Sequence, residues 1–207
     1  KRFGGNIPKQ FTKINNKQVL HYSVNSFLTH SMVDEVIIVV HQDWVKRTKK
    51  LYPLCKIVTG GKTRSASTFN GIKASMHESD NVLIHDAVRP FVDHCTISNC
   101  ILSLKSADAV APILEHKDSI IKVHKKGVEH VNRNEIRLVQ TPQCFKKNII
   151  LDALSSELSA TDEIGLLLKF NPKSIIKFIN GNEENFKITT FSDLKLAEAY
   201  IHQSITP

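Results

Sequence analysis

The chain has 207 residues, 41% of them hydrophobic and 23% charged; this is enough for one substantial core and excludes a disordered or low-complexity polypeptide. Lys plus Arg total 28 against 20 Asp plus Glu, a formal charge of +8, which favours anionic partners without choosing among nucleic acid, phosphorylated metabolites and acidic surfaces. Cys55, Cys95, Cys100 and Cys144 form no CxxC pair and no His/Cys comb, so neither a zinc site nor a disulfide framework is expected, and a reducing cytoplasm is.

The opening "KRFGGNIPKQ" lacks the apolar core of a signal peptide, and no apolar run reaches membrane-spanning length. Leu20, Val24, Phe27 and Leu28 recur at helical spacing and predict an amphipathic helix over roughly 18–30. "EVIIVV" (35–40) reads as a buried strand, "DWVKRTKKLY" as a short helix and "KIVT" (56–59) as a strand. A helix, "SASTFNGIKASMH", follows the "TGGKTR" turn. "NVLIHD" is the next strand, "TISNCILSLKSA" a helix and "ADAVAPIL" a further strand. Strands alternating with helices imply crossover connections. The expected fold is therefore α/β: an open, mainly parallel Rossmann-like sheet with helices on both faces, in a single domain over 1–207.

After Leu114 the rhythm breaks. "DSIIKV", the turn Lys125-Lys126-Gly127 and "VEHV" read as two strands about a glycine, so a β-hairpin arm is expected to project at about 115–133. "RLVQTPQCF", helices near 147–155 and over "TDEIGLLLKF", the strands "SIIKFI" and "NFKITT", and the closing helix "SDLKLAEAYI" complete the chain.

Within this order one stretch concentrates chemistry. "VLIHDAVRPF" (82–91) carries His85 and Asp86 to the carboxyl end of a core strand and stops it with Pro90, and ligands of open parallel sheets bind beyond such ends. Asp86 there can coordinate a metal or hold a sugar hydroxyl, and Arg89 can grip a phosphate bidentately; alternatively the two form a structural pair closing a turn. "TGGKTRSAS" places Gly60, Gly61, Arg64, Ser65 and Ser67 at a strand-to-helix junction suited to an anion or a base edge, although the Walker A spacing is absent.

In order along the chain, PKQ, GG-x-x-R-x-x-S, HDAVRPF, TPQ-x-F, TDE and FKITT-x-x-DL resemble the cytidylyltransferases that join CTP to a sugar-alcohol phosphate, and among them the 2-C-methyl-D-erythritol 4-phosphate cytidylyltransferases. The similarity runs from Arg2 to Tyr200, and HDAVRPF together with TPQ is specific to this group. It implies transfer of CMP from CTP to 2-C-methyl-D-erythritol 4-phosphate, with Mg²⁺, in non-mevalonate isoprenoid synthesis. A pentitol phosphate such as ribitol 5-phosphate is the alternative acceptor.

Carried across by matched motif, the resemblance implies that Arg2, Lys9 and Lys187 act on the phosphates, while Gly60, Gly61, Arg64 and Ser67 border the nucleotide. Asp86 would lie by the ribose and metal, and Arg89, Thr141 and Thr161 would face the acceptor. It also implies a homodimer that exchanges its arms, with Ser119 and Arg133 reaching the partner's acceptor site. Family members open with a strand and an A-G-G-x-G-x-R signature, of which Arg2 alone remains here. An omitted start is expected, because a parallel sheet without its central strand would expose its core.

Joining a phosphate monoester to CTP needs no general base, so His85 is expected to be structural. A non-catalytic nucleotide-binding module is a second alternative. A nucleic-acid binder is not expected, since aromatic residues make up 7% with no stacking series.

Overall fold

The computed structural model describes residues 7–205, with side chains through His202. A 3-10 turn over Lys9–Phe11 leads to the short hairpin β1 (Lys13–Ile14) and β2 (Lys17–Gln18), then helix α1 (Val19–Leu28). Strand β3 (Ile37–Val40), helix α2 (Gln42–Leu51), strand β4 (Lys56–Thr59) and helix α3 (Arg64–Lys73) follow. Next come β5 (Asn81–Ile84), α4 (His94–Leu104) and β6 (Ala109–Glu115). The chain then forms β7 (Ile120–His124), β8 (Gly127–Val131), β9 (Arg137–Val139), β10 (Gln143–Lys146), α5 (Lys147–Ser155), α6 (Glu163–Phe170), β11 (Ile176–Asn180) and α7 (Phe191–Ile205).

Five strands form the larger sheet, in the order β11-β6-β10-β5 with β9 also on β6, while β3 and β4 pair in parallel with each other. Strand alternation sorts its side chains between two helical layers. Ala109, Ala111, Phe145, Val82 and Ile84 pack on one face with α3, α5 and α6. Val110, Cys144 and Leu83 turn to the other, where Cys100 and Leu104 of α4 meet them. The starts of α3, α4 and α6 are capped by side chains: Thr63 accepts from Ala66 N at 3.0 Å, Asp93 from Thr96 N at 2.6 Å and Asp162 from Gly165 N at 2.9 Å. Such caps contribute about 1 kcal/mol each.

The expected helices on both faces and projecting hairpin are present, but the larger sheet is mixed rather than mainly parallel. β6 pairs in parallel with β11, whereas β10 runs antiparallel to both β5 and β6. The cause is the arm. β6 leads out to β7 and β8, and the returning chain lies back along the same β6, first as β9 and then as β10. The second leg of a hairpin is antiparallel by necessity. The two returning pieces are separated at Gln140, Thr141 and the cis-proline Pro142.

A second expectation fails at "NFKITT". Residues 185–190 form no strand; Ile188 N donates to Val88 O at 2.9 Å and the segment otherwise runs as a loop. Its apolar residue Ile188 is still buried, against Ile14, Val19, Val88 and the α7 residues Leu194, Ala197 and Ile201. Alternating hydrophobicity here reflects docking beneath α7, not sheet pairing.

Candidate active site

At the carboxyl end of β5 the chain turns sharply, with Arg89 N donating to Asp86 O at 2.9 Å. His85 points inward. Its Nε2 lies 3.0 Å from Arg89 O, and a carbonyl can only accept, so Nε2 carries the proton. Nδ1, 2.9 Å from Thr141 Oγ1, then accepts from that hydroxyl, which itself accepts from Asp86 N at 3.1 Å. Burial drives the His85 pKa down to about 4, against the raising influence of the Arg89 carbonyl and Asp86. The ring is thus neutral, with both nitrogens committed.

Asp86 is the electrostatic centre of the rim. Lys187 Nζ lies 2.9 Å and Arg89 Nε 3.5 Å from the same oxygen, Oδ2. Burial pushes the carboxyl pKa upward, but the Lys187 hydrogen bond and charge, with Arg89 behind them, outweigh it and hold the pKa below its ordinary value. Lys9 approaches from the other end of the chain, donating to Ile188 O at 3.2 Å, one residue beyond Lys187. Lys9, Asp86 and Lys187 therefore share one rim. Arg2, expected beside Lys9, lies outside the described residues.

Arg89 turns into the protein: its Nη1 donates to Asn185 O at 2.7 Å. Thr141 is similarly buried, its hydroxyl taken by His85 and Asp86. The residues expected to face the acceptor thus include two whose polar atoms brace the rim from below.

The glycine turn after β4 forms a second cluster. Gly61 N donates to Ser67 Oγ at 3.0 Å, and Ser67 Oγ donates to Thr63 O at 2.8 Å. A Cβ on Gly61 would stand 2.5 Å from Ala66 Cβ, so only glycine lets the turn lie this close to α3. Arg64, though 44% exposed, is engaged by the protein. Its Nη1 and Nη2 each lie 2.6 Å from a carboxylate oxygen of Glu163, which is 1% exposed and also accepts from Thr68 at 3.1 Å.

Glu163 begins α6, next to exposed Thr161 and the cap residue Asp162. Gln143 of β10 ties this segment to the rim, donating to Asp162 Oδ2 at 2.8 Å and accepting from Ile164 N at 3.1 Å. Ser119 and Arg133 lie at the root of the arm, both exposed, and Arg133 Nη1 donates to Lys117 O at 2.6 Å. Neither joins the rim cluster through a described contact.

Sequence reasoning missed Glu163, Asn185, Gln140 and Gln143. All four sit inside or beside the quoted motifs TDE, ENFKITT and QTPQCF. The usable signal was an amide or acid in a segment otherwise destined for the core, where burial demands a partner.

Among the described residues, Asp86 at the rim could hold a divalent cation. Among the described residues no three His, Cys, Asp or Glu side chains gather as a metal cage, but Mg²⁺ is commonly held by one or two carboxylates together with substrate phosphates and water. Asp86, an ionised carboxylate at the strand end between two cationic side chains, fits that pattern. An open hollow lined by His77, Asp80, Lys146 and Lys147 lies at the opposite, amino end of β5.

The chain matches the family model for 2-C-methyl-D-erythritol 4-phosphate cytidylyltransferase over residues 1–203. It is 36% identical to the protein of that name from Clostridium botulinum (strain Loch Maree / Type A3), covering 98% of this chain and 93% of the relative. With the protein of the same name from Clostridium perfringens (strain SM101 / Type A) it shares 33%, covering 97% and 93%. The crystal structure of 4-diphosphocytidyl-2C-methyl-D-erythritol synthase from Anaerococcus prevotii DSM 20548 superimposes with a TM-score of 0.88 at 29% identity, over 97% of this chain and 93% of that one. The corresponding cytidylyltransferase from Thermus thermophilus gives 0.82 at 27%, over 94% of each.

Proposed function

The chain belongs to the 2-C-methyl-D-erythritol 4-phosphate cytidylyltransferase family, and from that membership we propose how its rim carries out the transfer. The enzyme transfers CMP from CTP to 2-C-methyl-D-erythritol 4-phosphate in isoprenoid precursor synthesis. A phosphate oxygen of the acceptor attacks the α-phosphorus of CTP. As that P–O bond forms, the bond from the α-phosphorus to the α,β-bridging oxygen breaks and pyrophosphate departs. The monoester's second pKa is near ~6, so the nucleophile is already ionised at neutral pH and no side chain need remove a proton.

The problem is electrostatic: two polyanions must meet, and charge grows on the α-phosphate and leaving group. Lys187 acts at the α-phosphate, and Lys9, with Arg2, at the triphosphate. The observation that carries this reading is that Lys9, from the opposite end of the chain, reaches the backbone of Ile188, one residue beyond the Lys187 that pairs with Asp86. Asp86 would hold Mg²⁺, which when bound would supply Lewis-acid neutralisation of phosphate charge. Gly60, Gly61 and Ser67 border the nucleotide, and Arg64 holds their turn against Glu163. Thr161 faces the acceptor, with Arg89 and Thr141 shaping that side from beneath. Two copies exchange arms, so that Ser119 and Arg133 complete the partner's acceptor site. The four free thiols suit a reducing cytoplasm.

Pyrophosphate release tests the reading, with each of the four NTPs offered alongside 2-C-methyl-D-erythritol 4-phosphate or ribitol 5-phosphate. CTP with the methylerythritol substrate is expected to turn over fastest, and EDTA to abolish turnover. Preference for another pair, or no release from any, overturns it.

A further inference from the structure

The segment that carries Lys187 belongs to no strand, and the Lys187 side chain is 40% exposed. With the lysine this open to solvent, the position of its ammonium depends on how the loop is anchored. On one side Ile188 anchors it through burial and its bond to Val88 O; on the other, Asn185 does. Asn185 is fully buried, at 0% exposure. Its backbone carbonyl accepts from Arg89 Nη1 at 2.7 Å and from Gln140 Nε2 at 3.3 Å, and its side-chain Nδ2 donates to Thr141 O at 2.8 Å.

Among the described residues no group bonds the Asn185 side-chain Oδ1, so the hydrogen bonding of this side chain is carried by its Nδ2. The same amide makes one directed bond, and that bond lands on the residue whose hydroxyl accepts from Asp86 N at 3.1 Å. Asn185, Thr141 and Asp86 form a strut from the loop bearing Lys187 to the turn bearing Asp86, and Lys187 meets Asp86 across it at 2.9 Å.

We infer that Asn185 is a positioning residue for the transfer step: its side-chain amide, bonded to the Thr141 carbonyl, sets the loop so that Lys187 stands beside Asp86 at the α-phosphate. The kinetic half rests on the function proposed above; the geometric half does not. Displacing a charge-stabilising group by about 1 Å can cost on the order of 10²-fold in rate. Because Lys187 serves the transition state, the loss falls on kcat and leaves KM for CTP nearly unchanged.

The test uses Asn185→Ala and Asn185→Leu, the second of similar volume, so that it removes the donor without opening a large cavity or burying a charge; both keep the backbone carbonyl that holds Arg89 and Gln140. Each is assayed with CTP and 2-C-methyl-D-erythritol 4-phosphate in the wild-type and Lys187→Ala backgrounds. The expected result is a kcat loss on the order of 10- to 100-fold in the wild-type background and essentially none in the Lys187→Ala background, since Asn185 acts through that lysine. Equal losses in both backgrounds, or wild-type kcat in a folded variant, overturn the inference. A crystal structure of either variant reads the geometry independently of activity. Lys187 is expected to leave hydrogen-bond reach of Asp86, and an unchanged contact overturns the inference even if the wild type proves inactive with CTP.

Discussion

Lys187 Nζ lies 2.9 Å from Asp86 Oδ2, joining a loop near the chain's carboxyl end to the turn that closes β5. The contact keeps Asp86 ionised and holds a cation at the rim. Lys187 is 40% exposed and Asp86 keeps Arg89 beside it when the lysine is removed, so the deletion strands no unpaired charge and costs about 1 kcal/mol. Lys187→Ala is therefore expected to lower kcat by about 10²- to 10³-fold while leaving the melting temperature within a few degrees of wild type. Lys9→Ala should behave alike. Steady-state kinetics with a thermal melt on the same samples checks both.

The Arg64–Glu163 pair makes an asymmetric prediction. Glu163 is 1% exposed and Arg64 44%, so the two partners differ in what deletion leaves behind. Arg64→Met strands a carboxylate in the core, a change that costs about 3–5 kcal/mol. Glu163→Gln leaves a guanidinium that water can reach and an amide that Thr68 can still contact, at a cost nearer about 1 kcal/mol. Urea titrations should rank Arg64→Met well below Glu163→Gln, and equal midpoints would contradict the pair's geometry.

That pair also marks a limit of reading the sequence. Strand and helix order was legible because hydrophobic periods of 2 and 3.6 survive in a single chain: "NIILDALS" is helix α5 and "KIVT" is strand β4. The rim was legible because HDAVR ends a strand and Lys187 sits in a recurring motif. Strand direction was not. β10 is antiparallel because β6 opens a long hairpin, a pairing that leaves no local periodicity. That Arg64, Arg89 and Thr141 spend their polar atoms on protein partners was hidden for a related reason. Their partners Glu163, Asn185 and His85 are distant in the chain or on the opposite strand, and residue type alone does not tell a ligand-binding fork from a structural one.

His85 gives a pH signature. Its folded pKa of about 4 lies below the unfolded value of 6.5, so its neutral form stabilises the fold above pH 6.5, and that contribution fades as pH falls from 6.5 through 4. The full effect is at most about 3 kcal/mol, reduced by the ring's residual solvent contact. The difference in unfolding free energy between wild type and His85→Gln should shrink across that window, which separates His85 from His21, whose pKa burial also lowers. NMR should find the His85 ring titrating near 4, and no limb of the rate profile near pH 6.5 should vanish in His85→Gln.

Gly61→Ala tests the nucleotide turn. The added methyl would meet Ala66 Cβ at 2.5 Å, too close to accept, so the turn must lift away from α3 and break the Gly61–Ser67 contact. Overpacking of this kind costs about 1–3 kcal/mol. On the proposed reading, in which the turn borders the ground-state nucleotide, KM for CTP is expected to rise by tenfold or more with a smaller change in kcat. Isothermal titration with CTP checks the binding half directly.

The arm has two unlike faces. Ile121, Val123 and Val128 are 60%, 72% and 65% exposed, and the register pairs Val123 with Val128 and Ile121 with His130, which puts all three apolar side chains on one face of the ribbon. The other face carries the Lys122–Glu129 ion pair, 3.5 Å apart. An isolated two-stranded ribbon is marginal in water, and contiguous exposed apolar surface on it calls for a cover. In the arm-exchanged homodimer proposed above, a second copy would supply that cover. Val123→Asp with Val128→Asp, opposed across the two strands, would bury like charges at the contact. Sedimentation velocity should shift from dimer to monomer, and activity should fall as Ser119 and Arg133 leave the partner's site. A variant that stays dimeric, or a monomer with full turnover, would remove the arm from the catalytic assembly.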